Sequence, residues 1–277
     1  MSKYFKKQSG VNEVGAGTYI FLIAASLLSV FPLFWMFVSA TNKSIDVASG
    51  TLLPGASLIE NYNKLVEGTN LWGAMWNSFL NASILTICSL AICSLGGYGF
   101  EIYHGKWKDR LFGVILLAIM VPFAATMIPL YQMCAEFGLL NSALGFILPT
   151  VSTPFMIMLF RQNSRSFPHD IIDAARMDGL SEFKIFLKMY IPTQKFVFAA
   201  AMTIVFMNAW NSYLWPRVIM LRNESVTMPM LIASLKSGYV TDFGVLMLAV
   251  LLCTLPTVII FFVLQKQFAQ GITGAIK

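Results

Sequence analysis

Hydrophobic residues in this chain gather into six long blocks, separated by polar stretches rich in turn residues. The blocks run Thr18–Ala40, Met75–Phe100, Leu111–Met133, Ala143–Phe160, Phe196–Met220 and Phe243–Leu264. A helix of about 20 residues crosses about 30 Å of hydrocarbon. Each block is long enough to do so. None carries a well-centred Asp, Glu, Lys or Arg. The pattern predicts an all-α polytopic membrane protein: six transmembrane helices in a single domain over Met1–Lys277. Pro32, Gly96, Gly97, Pro122, Pro129, Pro154, Pro216 and Pro256 lie within the blocks and mark kinks or close helix contacts.

The first block follows Lys3, Lys6 and Lys7 and ends at Val38-Ser39-Ala40, which resembles a cleavage site. Its apolar run exceeds the roughly 7–15 residues of a signal-peptide core. It reads as an uncleaved first helix. With the N-terminus inside, 14 of the 19 Lys and Arg residues fall in inside segments; Lys43, Lys64, Arg217, Arg222 and Lys236 fall outside. Cytoplasmic loops concentrate Lys and Arg, so both termini are expected in the cytoplasm. The outer loops Thr41–Ala74 and Leu221–Asp242 are long. The inner loop Arg161–Lys195 carries the densest charge.

Composition agrees. The chain is 57% hydrophobic and 12% charged, with a mean hydropathy of +0.70. Soluble domains carry about 25% charged residues, so a soluble enzyme and a disordered chain are both excluded. The net charge of +6 belongs to the inner loops. No basic run interleaved with aromatics points to nucleic acid. Cys88, Cys93, Cys134 and Cys253 lie in or beside apolar blocks, with no CxxC pair or neighbouring His. They read as small buried hydrophobes and not as metal ligands.

The loop Arg161–Lys195 predicts two short helices. Pro168 suits a first turn and Asp170 a positive helix end. Gly179 suits the left-handed position that ends a helix. Ser181 can cap the next helix, whose Phe183, Phe186, Leu187 and Tyr190 form an apolar stripe at i, i+3, i+4 and i+7. Pro192 closes it. In the first helix Ala174 and Ala175 lie between charged neighbours. Small residues admit a close approach, so this helix suits docking, or else lies on the inner membrane face.

Asp173-Ala174-Ala175-x3-Gly179-x9-Met189-x-Ile191-Pro192 resembles the loop motif E-A-A-x3-G-x9-I-x-L-P of ABC importer permeases. Asp173, Met189 and Ile191 depart conservatively from it. The Ala174–Gly179 core looks like the maltose-type carbohydrate importers. Asn77-Ser78 and Trp210-Asn211-x-Tyr213-Leu214-Trp215-Pro216 are similar to that family, and the tail Gln265–Lys277 resembles the C-terminus of its second permease subunit. The resemblance implies a coupling helix seated in a cytoplasmic ATPase. Asp173, Ala174, Ala175, Asp178 and Gly179 would carry that contact. It also implies a second permease subunit, two ATPase subunits, an extracellular solute-binding protein and a bacterial cytoplasmic membrane.

The absences fit. Gly50-x4-Gly55 continues as Ala56-Ser57, without the Lys and hydroxyl that hold ATP phosphates and Mg²⁺. ATP and Mg²⁺ are therefore expected on partner subunits, with no cofactor here and no enzymatic activity. No embedded carboxylate, His or Lys marks an ion-coupled carrier. His104 and His169 lie in inner loops. A neutral path suits a sugar. Asn208, Trp210, Asn211 and Tyr213 are its candidate contacts, with Tyr131 and Gln132 weaker ones. An interfacial aromatic belt and interhelical amide bonds are alternative uses of these residues. A permease for another solute such as an amino acid or glycerol phosphate, a secondary carrier and a structural membrane subunit remain alternatives for the chain.

Overall fold

The computed structural model describes residues 15–103, 105–237 and 240–274, and of 266–274 the backbone only. Lys3, Lys6, Lys7, His104 and the end of the tail motif lie outside the described residues. All regular structure among the described residues is helical. In chain order the helices are α1 (Ala16–Ala40), α2 (Ser44–Ala48), α3 (Leu58–Gly68), α4 (Leu71–Ile102) and α5 (Lys106–Leu117). There follow α6 (Phe123–Glu136), α7 (Ala143–Ile147), α8 (Pro154–Ser164), α9 (His169–Met177) and α10 (Glu182–Ile185). The last are α11 (Ile191–Thr193), α12 (Lys195–Trp210), α13 (Leu214–Ile219), α14 (Met228–Lys236) and α15 (Phe243–Gly274).

Among the described residues three helices are long and apolar enough to cross a membrane: α1, α4 and the Phe243–Gln265 part of α15. Two bent pairs raise the number to as many as five. The expected block Leu111–Met133 is one of these pairs, broken by 101° between Lys106–Met120 and Phe123–Glu136. Val121 is extended there, because proline disfavours a helical residue before it, and Pro122 caps α6 with extended backbone of its own. The block Ala143–Phe160 is also not one helix. It divides into α7 and α8, and Pro154 starts α8 afresh with the Thr153 hydroxyl accepting from the Met156 N–H. The block Phe196–Met220 breaks after Trp210, at the polar pair Asn211-Ser212.

The contacts divide the chain into two compact units, Met1–Lys64 with Val240–Leu251 and Leu65–Tyr239 with Leu252–Lys277. In the first, α1 exposes almost all of its apolar surface and buries only Met36, Val38, Ser39 and Ala40. Such a helix is at home in hydrocarbon, where its backbone satisfies itself. Its end is held by amides. Asn61 donates to the Ala40 and Asn42 carbonyls, each at 2.9 Å, and Asn42 donates to those of Val38 and Leu53.

In the second unit α4 packs against α8 and α12. It buries a run of small residues including Ser78, Ala82, Ser89, Cys93, Ser94 and Gly97. Without a hydrophobic force between helices in lipid, small residues permit the close packing that holds them together. At Gly97 a Cβ would lie 2.6 Å from both the Arg161 nitrogen and Phe160 Cβ, so only glycine fits. Beyond it Arg161 is buried and ties α8 to α4 and α5. It pairs with Glu101 at 3.1 Å and with Asp109, and lies 4.3 Å over the Phe112 ring.

Candidate functional site

Helix α9 forms where the sequence places it. Pro168 precedes it with extended backbone, Asp170 lies in its first turn and Arg176 in its last. Both charges complement the helix dipole. Gly179 has φ +77°. Its N–H bonds the Arg176 carbonyl and that of Leu180 bonds the Ala175 carbonyl, both at 3.0 Å. These two bonds define a Schellman motif, which selects glycine.

The inner face of α9 is fixed. Ile172 and Ala175 join Tyr98, Phe167, Ile185, Phe186 and Tyr190 in one buried cluster. Tyr98 lies 4.8 Å from Tyr190, Phe167 5.5 Å and Phe186 5.4 Å. The Tyr190 hydroxyl meets the buried Ser164 hydroxyl at 2.7 Å. Burial pushes Tyr190 up to about 12, opposed by its bond to Ser164. A polar clasp closes the edge: Glu182 accepts from Arg176 Nε at 2.8 Å and from the Tyr103 hydroxyl. Hydrogen bonds from Arg176 and Tyr103 hold Glu182 below its ordinary value. Burial, followed by Glu182, raises Tyr103 to about 12.

The apolar stripe expected over Phe183–Tyr190 is corrected. Phe186 and Tyr190 are buried, with Ile185, while Phe183 and Leu187 are exposed. A π turn at Phe186–Tyr190 changes the helical phase. Pro192 follows it, and in α geometry it would collide with the Lys188 carbonyl and leave it without a donor. Ser181 occupies the cap position before α10, but its hydroxyl makes no capping bond. The chain bends by 84° between Glu182–Thr193 and α12.

Asp173, Ala174, Asp178 and Gly179 share the exposed face of α9 and its end, beside Met177, which is 88% exposed. Ala175 differs. It points into the cluster, since it shares a face with Ile172. The other predicted set also divides. Trp210 is buried and its indole N–H donates to the Cys253 carbonyl at 3.0 Å, which commits it to helix packing. Asn211 is exposed and donates back to the Met207 carbonyl, and Tyr213 is exposed. Only Asn208 of the four lines a cavity of this unit whose volume is about 460 Å³. Ser89, Thr150, Thr153 and Ser212 add hydroxyls there, and Phe123, Phe146, Phe155 and Trp215 add rings. None of its lining residues is charged. The three hydroxyls outside the fifth block escaped notice because Thr150 and Thr153 lie in the turn that splits the fourth block and Ser89 reads as a helix-packing residue.

The family described as binding-protein-dependent transport system inner membrane component matches residues 94–274. The chain is 40% identical to the lactose transport system permease protein of Rhizobium radiobacter over 94% of this chain and 95% of that protein. It is 29% identical to the sn-glycerol-3-phosphate transport system permease protein of Escherichia coli (strain K12), over 94% and 96%. A solved bacterial ABC transporter involved in importing alginate superposes with a TM-score of 0.79 at 21% identity, covering 91% of this chain and 95% of that one. The chain therefore belongs to the binding-protein-dependent transport inner membrane component family: it is a multi-pass permease component of an ABC importer, is not itself an enzyme, and leaves ATP to a partner subunit.

Proposed function

We propose that this chain forms one half of the path for a neutral sugar or oligosaccharide. A second permease subunit forms the other half. Two cytoplasmic ATPase subunits drive the pair, and an extracellular solute-binding protein loads it. The uncharged cavity around Asn208 carries the reading. Asn208 is exposed, and among the described residues its amide has no hydrogen-bond partner. An amide beside hydroxyls and aromatic rings suits solute hydroxyls and the apolar faces of a sugar ring. A phosphate-bearing solute would want a cation there, and the lining has none.

On this reading α1, α4, α5–α6, α7–α8, α12–α13 and α15 supply six crossings of one domain, with both termini cytoplasmic. The exposed face of α9 meets an ATPase through Asp173, Ala174, Asp178 and Gly179, and Ala175 holds that face in register from behind. The experiment is uptake by the assembled importer in proteoliposomes with its solute-binding protein. ATP-dependent entry of a neutral saccharide is expected, and Asn208→Leu should slow it about tenfold. Uptake without ATP, or of glycerol 3-phosphate alone, would contradict the proposal.

A further inference from the structure

We propose that a second cavity, at the end of α4 remote from α9, is a subsite for one neutral, hydroxyl-rich ring of the solute. The proposal deepens the import reading and rests on it. The cavity holds about 240 Å³ between Asn77 and Asn81 of α4, the turn at Asn141 and Ser142, and the segment carrying Arg222, Glu224 and Ser225. Asn81 is the telling residue. It is 6% exposed, it lines the cavity, and among the described residues its amide makes no hydrogen bond. Its amide atoms are not among the fully buried ones that lack a partner; they open onto the cavity, where a molecule from outside can bond them.

The neighbouring amides are held in place with one end spare. Asn77 Nδ2 donates to the carbonyls of Glu224 at 2.6 Å and Val226 at 3.1 Å, and its Oδ1 has no partner among the described residues. Asn141 Oδ1 accepts from the backbone of Leu221 and Arg222, and its Nδ2 has no partner among the described residues. Asn141 itself has φ +57°, a conformation that asparagine tolerates better than most residues. Fixed donors and acceptors side by side suit vicinal hydroxyls, each of which both donates and accepts. Arg222 and Glu224 contribute opposite charges, so the lining is neutral overall.

Its position links it to the larger cavity. Asn77, Asn81, Leu85 and Ser89 recur every four residues along one face of α4. The first two line this cavity and the last two the larger one. Helix α7 contributes Ala143 to the smaller cavity and Phe146 to the larger. The two cavities are successive stations along α4, and α7 contributes to both.

The test uses the assembled importer with its solute-binding protein. Ser225→Cys is labelled by a bulky thiol reagent in a panel of neutral mono- and disaccharides headed by lactose, and in glycerol 3-phosphate. A neutral sugar should slow labelling. Asn81→Leu should abolish that protection and raise the sugar's KM about tenfold, with the maximal ATP-driven rate kept. Unprotected Ser225→Cys in an importer that carries a panel sugar overturns the subsite and leaves the import reading standing. Protection in a complex that carries no sugar supports the subsite and overturns the import reading. Protection by glycerol 3-phosphate alone overturns the neutral class. Should Asn81→Leu fail to assemble, labelling of the otherwise unaltered chain decides.

Discussion

Around Tyr98, near the C-terminal end of α4, rings meet rings: Tyr190 lies at 4.8 Å and Phe186 at 5.3 Å. Around Asn81, about 25 Å earlier along the same helix, amides line a cavity with hydrogen-bonding capacity to spare. One end is packed like a protein core and the other is left open. A close-packed cluster resists continuous deformation and moves as a body. That suits a lever beneath α9. An open polar site suits a ligand that comes and goes. On the proposed reading the packed end of α4 serves drive and the open end solute, with the small-residue seam between them.

The strongest way to break the comparison is at the seam itself. Gly97→Leu would place a side chain where even a Cβ meets backbone at 2.6 Å. Overpacking costs about 1–3 kcal/mol and more where backbone cannot yield. The expected outcome is loss of the folded chain from the membrane, read as yield of assembled importer.

Gly179→Val comes next and separates the two ends. No atom lies within 4 Å of the added Cβ, but φ is +77°. The strain is about 1–2 kcal/mol, and a β-branched residue feels it most. Solute-stimulated ATP hydrolysis and uptake should fall together, while sugar protection at the Asn81 cavity persists.

A smaller effect tests the packed end. Tyr190→Phe removes a buried hydrogen bond to Ser164 and should cost about 1 kcal/mol, measured as thermal stability of the complex. Tyr98→Phe is its control. Among the described residues the buried Tyr98 hydroxyl has no partner, so its removal should leave stability unchanged or improved.

The smallest effect concerns the clasp. Arg176 and Glu182 are 41% and 44% exposed, so Glu182→Gln should cost at most about 1 kcal/mol. The sign with pH follows from the shifts. Glu182 is lowered, so its contribution is complete above its ordinary 4.5 and is lost as pH falls through the lowered value. Tyr103 is raised, so its contribution is complete below its ordinary 10 and is lost as pH rises through about 12. Hydrogen exchange of α9 against pH should show protection across that window and loosening on either side.

What could be read from residues alone follows from the range of the forces involved. Gly179 was legible because a left-handed helix end is a local event with one favoured residue. The loop motif was legible for the same reason. Pro122 and Pro154 were legible as kinks or close contacts, but that they break the third and fourth blocks was not, nor was the break of the fifth at Asn211-Ser212, since hydropathy sums composition and is blind to where the backbone is interrupted. Trp210 looked like a path residue by type, but the Cys253 carbonyl that takes its N–H lies 43 positions away. Glu182 meets Tyr103 across 79 positions. Asn81 carried no sequence signal, because an amide between small residues on a membrane helix reads as a packing contact. Its lack of a partner is visible only in three dimensions.

The central claim, that the exposed face of α9 docks an ATPase while its inner face holds α4, is tested most directly by crosslinking. A photoreactive group attached at Ala174→Cys in the assembled importer should yield an adduct with a cytoplasmic ATPase subunit. An adduct with lipid alone, in a complex that retains ATP-driven uptake, would contradict the account.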